Sequence, residues 1–221
     1  MGKNQYKEKI IVIDFGSQVT KLIARRIREF KVFAEILTIK EVNNLRNFDN
    51  IKGIILSGGP STVINNSFPS IPKNLFSLGI PILGICYGLQ LIVKNFGGIV
   101  KAGLKKREFG RALLIEAKKS ILTKNFFIKK KTKVWMSHQD SVYKLPYGFF
   151  KVAFTKESPL TIIENSKKKI YGIQFHPEIT HTNNGETIFK NFIFNICKAK
   201  KQWKVKSEKN RIIEEIREQV K

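Results

Sequence analysis

The sequence predicts an α/β fold, an open and mostly parallel central sheet flanked by helices, with a small antiparallel excursion. Two observations predict it. Short apolar runs, typical of strands buried on both faces of a parallel sheet, alternate with helical segments through the N-terminal half. One such run, Ile82–Ile85, leads straight into Cys86 and a further helix, which is the strand-to-helix turn of a nucleophile elbow.

The N-terminal half supplies the parallel part of the sheet. Lys9–Phe15 is a continuous apolar strand that Gly16-Ser17 ends, and Gln18–Phe30 follows with apolar residues along one helical stripe. The next predicted elements are a strand, a weaker helix, a strand closed by a Gly-Gly-Pro turn, the elbow strand and its helix: Phe33–Leu37, Glu41–Phe48, Gly53–Leu56, Ile82–Ile85 and Tyr87 to about Phe96.

After Gly97-Gly98 the pattern changes to short strands separated by turns, which we interpret as the antiparallel excursion. These strands are Ala112–Glu116, Val134–Ser137, Phe150–Thr155 and Leu160–Glu164. Ile170–Phe175 is predicted as a last central strand and Gly185–Cys197 as a helix. Beyond Ser207, apolar residues at helical spacing predict one more helix.

Composition limits the classes of function. The chain has 221 residues, of which 42% are hydrophobic, with no apolar run long enough to span a bilayer and no secretory signal at its start. Its two cysteines suit a reducing compartment, so we expect a cytoplasmic domain without a membrane partner. The net charge of +24 comes from small, scattered lysine clusters, so nucleic-acid binding is the less favoured explanation and a compositional bias the simpler one.

The strongest local signal is Gly84-Ile85-Cys86-Tyr87-Gly88. A nucleophile in a sharp strand-to-helix turn needs small neighbours, because its backbone is strained and closely packed. The positive end of the following helix dipole would favour a thiolate at Cys86. The alternative is an ordinary buried cysteine at a strand end.

A thiolate nucleophile needs a proton shuttle, and the chain offers three histidines: His138, His176 and His181. His176 follows the last central strand, which places it at the same edge of the sheet as Cys86. Glu178 lies two residues further on and can orient the imidazole and support its charge. We therefore predict that His176 is the proton shuttle for Cys86 and that Glu178 orients its imidazole.

The turn Leu56-Ser57-Gly58-Gly59-Pro60 lets the backbone come close to a ligand. Pro60 has no N–H, so Gly59 or Gly58 would supply the donor. Together with the N–H of Tyr87, this loop would form a two-donor oxyanion hole. Taken alone, the segment is merely a turn.

These pieces resemble the class I, triad-type glutamine amidotransferases. The resemblance implies that Cys86 attacks the side-chain amide of glutamine, that backbone N–H groups hold the oxyanion, and that His176 protonates the departing ammonia with Glu178 as its orienter. It also implies a glutamine pocket with Gly58, Gln90, Ser137 and Asp140 as substrate contacts and His138 as part of the wall. Gln139 stands where that family usually has glycine.

Further segments resemble the amidotransferase domains of GMP synthetases in particular, and they cover nearly the whole chain. They are Asp14–Gln18, Leu22–Arg26, Arg107–Arg111, Val134–His138, His176–Thr182 and the end from Trp203. The resemblance implies that the ammonia serves the conversion of XMP to GMP. It also gives His181 a possible contact with another domain.

No Gly-rich nucleotide loop occurs in the sequence, so the chain itself is expected to use no cofactor and no metal. The resemblance implies a separate ATP-pyrophosphatase domain or subunit that uses ATP and Mg²⁺. We predict an amidotransferase domain at residues 1–200 and a helical linker at residues 201–221, which favours an excised domain over a separate subunit. The alternatives are an amidotransferase for another acceptor (anthranilate, carbamoyl phosphate or CTP synthesis), a cysteine hydrolase of the same fold acting on another amide, and a basic nucleic-acid-binding module.

Overall fold

The computed structural model describes residues 8–64, 71–102 and 108–204, together with the single positions Ile213 and Arg217. The helix predicted beyond Ser207 and most of the predicted linker therefore lie outside the described residues, as does Arg107. Residues 201–204 are described and form neither helix nor strand. Their Trp203 N–H donates to the carbonyl of Lys31 at 2.8 Å, which ties this segment to the domain.

Nine strands form one sheet, in the order β2-β1-β3-β4-β11-β10-β9-β6-β7. The first five strands in that order are parallel to one another. Their bounds are β1 Lys9–Asp14, β2 Phe33–Thr38, β3 Ile51–Leu56, β4 Ile82–Ile85 and β11 Ile170–Ile173. The predicted parallel sheet is thus confirmed, and β4 has the predicted bounds.

The remaining strands of this sheet pair antiparallel with their neighbours. They are β6 Glu108–Glu116, β7 Lys131–His138, β9 Phe150–Phe154 and β10 Ile162–Asn165. These strands are the predicted antiparallel excursion, and they extend the central sheet because β10 pairs directly with β11. A separate two-stranded sheet joins β5 Ile99–Ala102 to β8 Asp140–Lys144, and sequence patterns did not predict either strand.

The helices connect the parallel strands and cover both faces of the sheet. The α-helices are α1 Thr20–Glu29, α2 Ile39–Asn43, α3 Tyr87–Asn95 and α4 Gly185–Lys190, with a 3₁₀ turn at Lys73–Ser77. The predicted helix Glu41–Phe48 is shorter and earlier than expected, because Thr38 and Glu41 form a capping box that starts α2 at Ile39. The predicted helix Gly185–Cys197 changes after α4 into a π-helical segment, Asn191–Ile196.

The core lies in two layers, one on each face of the sheet. Alternating residues of β1 supply both layers, since successive side chains of a strand point to opposite faces: Ile10 and Val12 belong to one cluster, Ile11 and Ile13 to the other. Helices α1 and α4 complete the first layer, and α3 completes the second. Within the described residues, no helix is long and apolar enough to cross a membrane.

Candidate active site

The elbow lies at the carboxyl edge of the central parallel strands. Gly84 in β4 is in register with Leu56 in β3 on one side and with Gly172 in β11 on the other. The three strands therefore end side by side, and the segments that follow them carry Cys86, the Ser57–Pro60 loop and His176. This is the edge where ligand sites of open α/β sheets lie.

Both glycines of the elbow are required by close packing. A Cβ on Gly88 would lie 2.3 Å from the carbonyl oxygen of Leu56, and a Cβ on Gly84 would lie 2.5 Å from the carbonyl of Gly88. Cys86 itself adopts φ 53° and ψ −104°, a left-handed backbone conformation that is costly for a residue with a side chain. Helix α3 begins at Tyr87, directly after the thiol. The packing that the motif predicted is therefore present.

His176 interacts with both of its predicted partners, Glu178 and Cys86. Its Nδ1 lies 2.6 Å from Oε1 of Glu178, a fully buried carboxylate. Burial by itself lowers the pKa of His176. The hydrogen bonds to Cys86 and Glu178 and the negative charges of both outweigh this effect, so the pKa is raised to about 10. The ring therefore carries a positive charge at neutral pH, beside the sulfur.

Three hydrogen bonds fix the backbone of the segment that carries these groups. The N–H of His176 donates to the carbonyl of Trp135 in β7 at 3.1 Å, and the Thr182 hydroxyl donates to the carbonyl of His176 at 2.6 Å. From α1, the Arg26 Nε donates to the carbonyl of Glu178 at 3.0 Å. The acid–base pair thus sits on a segment whose backbone is held at both ends.

The Gly58-Gly59 turn lies against the nucleophile and the histidine. A Cβ on Gly58 would lie 3.4 Å from Cε1 of His176, and one on Gly59 would lie 3.1 Å from Cδ1 of Tyr87. The N–H of Tyr87 opens α3, where the N–H groups of the first turn have no partner within the helix. Gly59 and Tyr87 therefore lie next to each other at the elbow.

A cavity of about 610 Å³ opens in front of Cys86. Three predicted substrate contacts, Gln90, Ser137 and Asp140, line it, and so do the predicted wall residue His138 and the residues Gly59 and Tyr87. Gly58, which was predicted to contact substrate, is not among its lining residues and packs against His176 instead. The cavity also includes Gln139.

The polar groups of this wall are tied to one another. Gln90 donates from Nε2 to the carbonyl of Asp140 at 2.9 Å, and the Asp140 carboxylate accepts from the hydroxyl of Thr62. His138 is engaged at both ring nitrogens, with Nδ1 3.0 Å from the carbonyl of Asp140 and Nε2 3.2 Å from Glu108. This arrangement suits a wall residue, as predicted, and not a proton shuttle for Cys86.

A family model, glutamine amidotransferase class-I, matches residues 11–196. The chain belongs to the class-I glutamine amidotransferase family. Among curated relatives of this amidotransferase, a glutamine-hydrolysing GMP synthase of Prochlorococcus marinus is 43% identical over 229 residues, and one of Brachyspira hyodysenteriae is 47% identical over 214 residues. The alignments take in 100% and 96% of this chain but only 42% and 41% of those relatives, so the chain spans about two fifths of their length.

Solved structures agree with this assignment. A protein assigned as a GMP synthase subunit from Thermoplasma acidophilum has a TM-score of 0.77 and 31% identity, covering 88% of this amidotransferase and 96% of that chain. A glutamine amidotransferase from Thermotoga maritima has a TM-score of 0.67 at 21% identity, with 86% and 83% covered, and it supports the fold alone. The alternative of a basic nucleic-acid-binding module is not favoured.

Sequence reasoning missed four residues that shape the site of this amidotransferase. Gln174 contacts the sulfur of Cys86, Thr62 bonds to Asp140, and Arg26 and Thr182 hold the histidine segment. Gln174 lies two residues before His176 and directly after β11, so its place in the segment that carries the histidine was the available sequence signal. The bonds of Thr62 and Arg26 span 78 and 152 residues and leave no local signal.

Proposed function

We propose that this chain hydrolyses glutamine through Cys86, His176 and Glu178. The observation that carries the proposal is that His176 interacts both with Cys86, which lines the cavity, and with the buried carboxylate of Glu178. A charged imidazole beside a cysteine at a helix N-terminus supports a thiolate–imidazolium pair. Such a pair supplies both a nucleophile and an acid.

The proposed reaction proceeds by covalent catalysis. The Cys86 thiolate attacks the side-chain carbonyl carbon of glutamine, and the N–H groups of Gly59 and Tyr87 receive the negative charge that develops on its oxygen. The C–N bond then breaks as His176 gives its proton to the departing nitrogen, which leaves as ammonia. A water molecule next loses a proton to His176 and attacks the thioester, so that glutamate leaves and the thiolate returns.

We assign substrate recognition to the wall opposite the nucleophile. Asp140 would pair with the α-ammonium group of glutamine, and the Thr62 hydroxyl supports it by donating to the carboxylate. Gln90 and Ser137 would contact the substrate directly, whereas His138 supports the wall. Gly58 leaves room for the ring of His176.

We further propose that the ammonia serves the conversion of XMP to GMP. The support is that the relatives 43% and 47% identical are glutamine-hydrolysing GMP synthases, and that the 31% identical protein is assigned as a GMP synthase subunit. The amination itself would require an ATP-pyrophosphatase domain or subunit with ATP and Mg²⁺. The amidotransferase domain would comprise residues 1–200, with residues 201–221 as the link to that partner, and the compartment would be the cytoplasm.

The test measures glutamate release from glutamine by this chain, alone and with an ATP-pyrophosphatase partner plus ATP and XMP, beside Cys86→Ala. We expect slow release by the chain alone, faster release with the partner, and none from Cys86→Ala. If release by the partner-bound chain does not depend on Cys86, the proposed hydrolysis is wrong. Cys86-dependent release without amination of XMP would instead favour an amidotransferase for another acceptor.

A further inference from the structure

Gln174 lies directly after β11, between the last core strand and His176. Its side chain is fully buried, and its backbone N–H donates to the carbonyl of Thr161 at 2.9 Å. The position is therefore fixed by the edge of the sheet, two residues before the histidine. Because the backbone is fixed on both sides of Gln174, its side-chain amide has little freedom to move.

The side chain of Gln174 makes one polar contact through its amide nitrogen. The Nε2 atom lies 3.7 Å from the sulfur of Cys86, within hydrogen-bonding distance for sulfur. Its other polar atom, Oε1, is buried and has no hydrogen-bond partner among the described residues. Gln174 is also not among the residues that line the cavity.

This arrangement disfavours a purely structural role. A buried amide with an unpartnered oxygen destabilises a fold, and a single hydrogen bond to sulfur does not offset that cost. An apolar side chain of the same length would pack here with no unpartnered polar atom. A residue that is unfavourable for stability and faces a reacting atom is the pattern expected where function maintains the residue.

We propose that Gln174 holds the Cys86 thiolate in place by donating a hydrogen bond from Nε2 to the sulfur. This inference rests on the proposed function, in which Cys86 is the nucleophile. The carbonyl of Ser137 lies 3.7 Å from the same sulfur and can accept the proton of a neutral thiol. Once that proton leaves, the carbonyl no longer stabilises the sulfur. The thiolate is then stabilised by the hydrogen-bond donors of His176 and Gln174.

Other titratable groups surround the sulfur and stay in place when Gln174 is changed. His176 lies on the segment after β11 with Glu178 behind it, and Tyr87 is the next residue along α3. His138 from β7 and Asp140 from β8 line the same cavity. A change in the pH dependence at Cys86 in a Gln174 variant therefore reports the loss of its N–H donor.

The test is the pH profile of Cys86 alkylation by iodoacetamide, which reacts with thiolate, with the modified cysteine identified by mass spectrometry. Gln174→Met keeps the length of the side chain and removes the donor. We expect the pH of half-maximal alkylation to rise by about one unit, so that alkylation below it slows about tenfold, which corresponds to about 1.4 kcal/mol. The matched control is Gln202→Met, an amide that does not line this cavity and should leave the profile unchanged.

Two further readouts separate this role from a structural one. Gln174→Met should lower kcat for glutamine hydrolysis and leave KM unchanged, because Gln174 does not line the cavity, and its thermal stability should equal or exceed that of the wild type. An unchanged alkylation profile in a folded Gln174→Met protein would overturn the inference, even if the wild type hydrolyses glutamine. A shifted profile in a chain that shows no hydrolysis would instead overturn the proposed function and leave the contact standing.

If Gln174→Met fails to fold, the wild-type protein still provides a test. The side-chain amide resonances of Gln174 should move with pH as the sulfur loses its proton, and they should stay fixed over that range in Cys86→Ala. Resonances that do not respond to pH in the wild type would overturn the inference.

Discussion

Replacing Glu178 by glutamine tests the electrostatic basis of the site, because it keeps the shape of the side chain and removes its charge. The 2.6 Å contact with His176 is a hydrogen bond to a charged, fully buried acceptor. Such bonds contribute about 1.5–3 kcal/mol, which corresponds to a fall in hydrolysis rate of about 10- to 150-fold. Glutamine also places an amide nitrogen in a pocket where Oε2 of Glu178 has no partner among the described residues, which adds to the cost.

The same substitution moves the acid–base behaviour of His176 in a defined direction. Burial alone lowers the pKa of His176, whereas Cys86 and Glu178 raise it to about 10, so removing the Glu178 charge must lower it. The pKa is raised above the usual value of 6.5, so the stability that the charged ring contributes is present below about pH 6.5 and lost as pH rises through about 10. In Glu178→Gln this loss should begin at lower pH.

Both effects can be measured on one pair of proteins. An NMR titration of the His176 imidazole gives its pKa, glutamate release gives the rate, and chemical unfolding at several pH values gives the stability. A Glu178→Gln protein whose His176 titrates as in the wild type, and whose rate is within twofold of it, would refute this account of the site.

Two further predictions concern residues around the triad. Arg26→Ala removes the bond to the Glu178 carbonyl and should lower kcat about tenfold with little change in KM. Arg25→Ala is the matched control, because the Arg25 side chain is 75% exposed and pairs with Glu29. Equal losses of kcat in the two variants would contradict the prediction. Asp140→Asn should raise KM for glutamine about tenfold, because the proposed pairing with the α-ammonium group is lost, while kcat changes little. An unaltered KM in steady-state kinetics would exclude Asp140 from substrate binding.

Local pattern was sufficient for the parallel half of the fold. The elbow strand Ile82–Ile85 was predicted with its observed bounds, and α3 ends at Asn95, one residue before the predicted Phe96. These elements are short, strongly apolar and bounded by glycine or a change of period, so sequence alone separates them. The elbow glycines were likewise predictable, since the close packing of Gly88 against Leu56 and of Gly84 against Gly88 follows from the motif.

Long-range pairing explains most of what the sequence did not reveal. Strand β8 begins at Asp140 in a polar segment, and its partner β5 lies before residues 103–107, so no local signal joins the two. The antiparallel strands were recognised as such, but their continuity with the central sheet depends on the pairing of β10 with β11, which periodicity cannot encode. The bond from Arg26 to the Glu178 carbonyl spans 152 residues and has the same origin.

The most direct measurement of the central claim is covalent labelling of the chain by a glutamine analogue that carries an electrophile at the side-chain carbonyl. The account predicts one adduct per chain, located by mass spectrometry on Cys86, prevented by excess glutamine and strongly slowed in His176→Ala. Labelling on Cys197, or labelling of Cys86 that neither glutamine nor the loss of His176 affects, would contradict it.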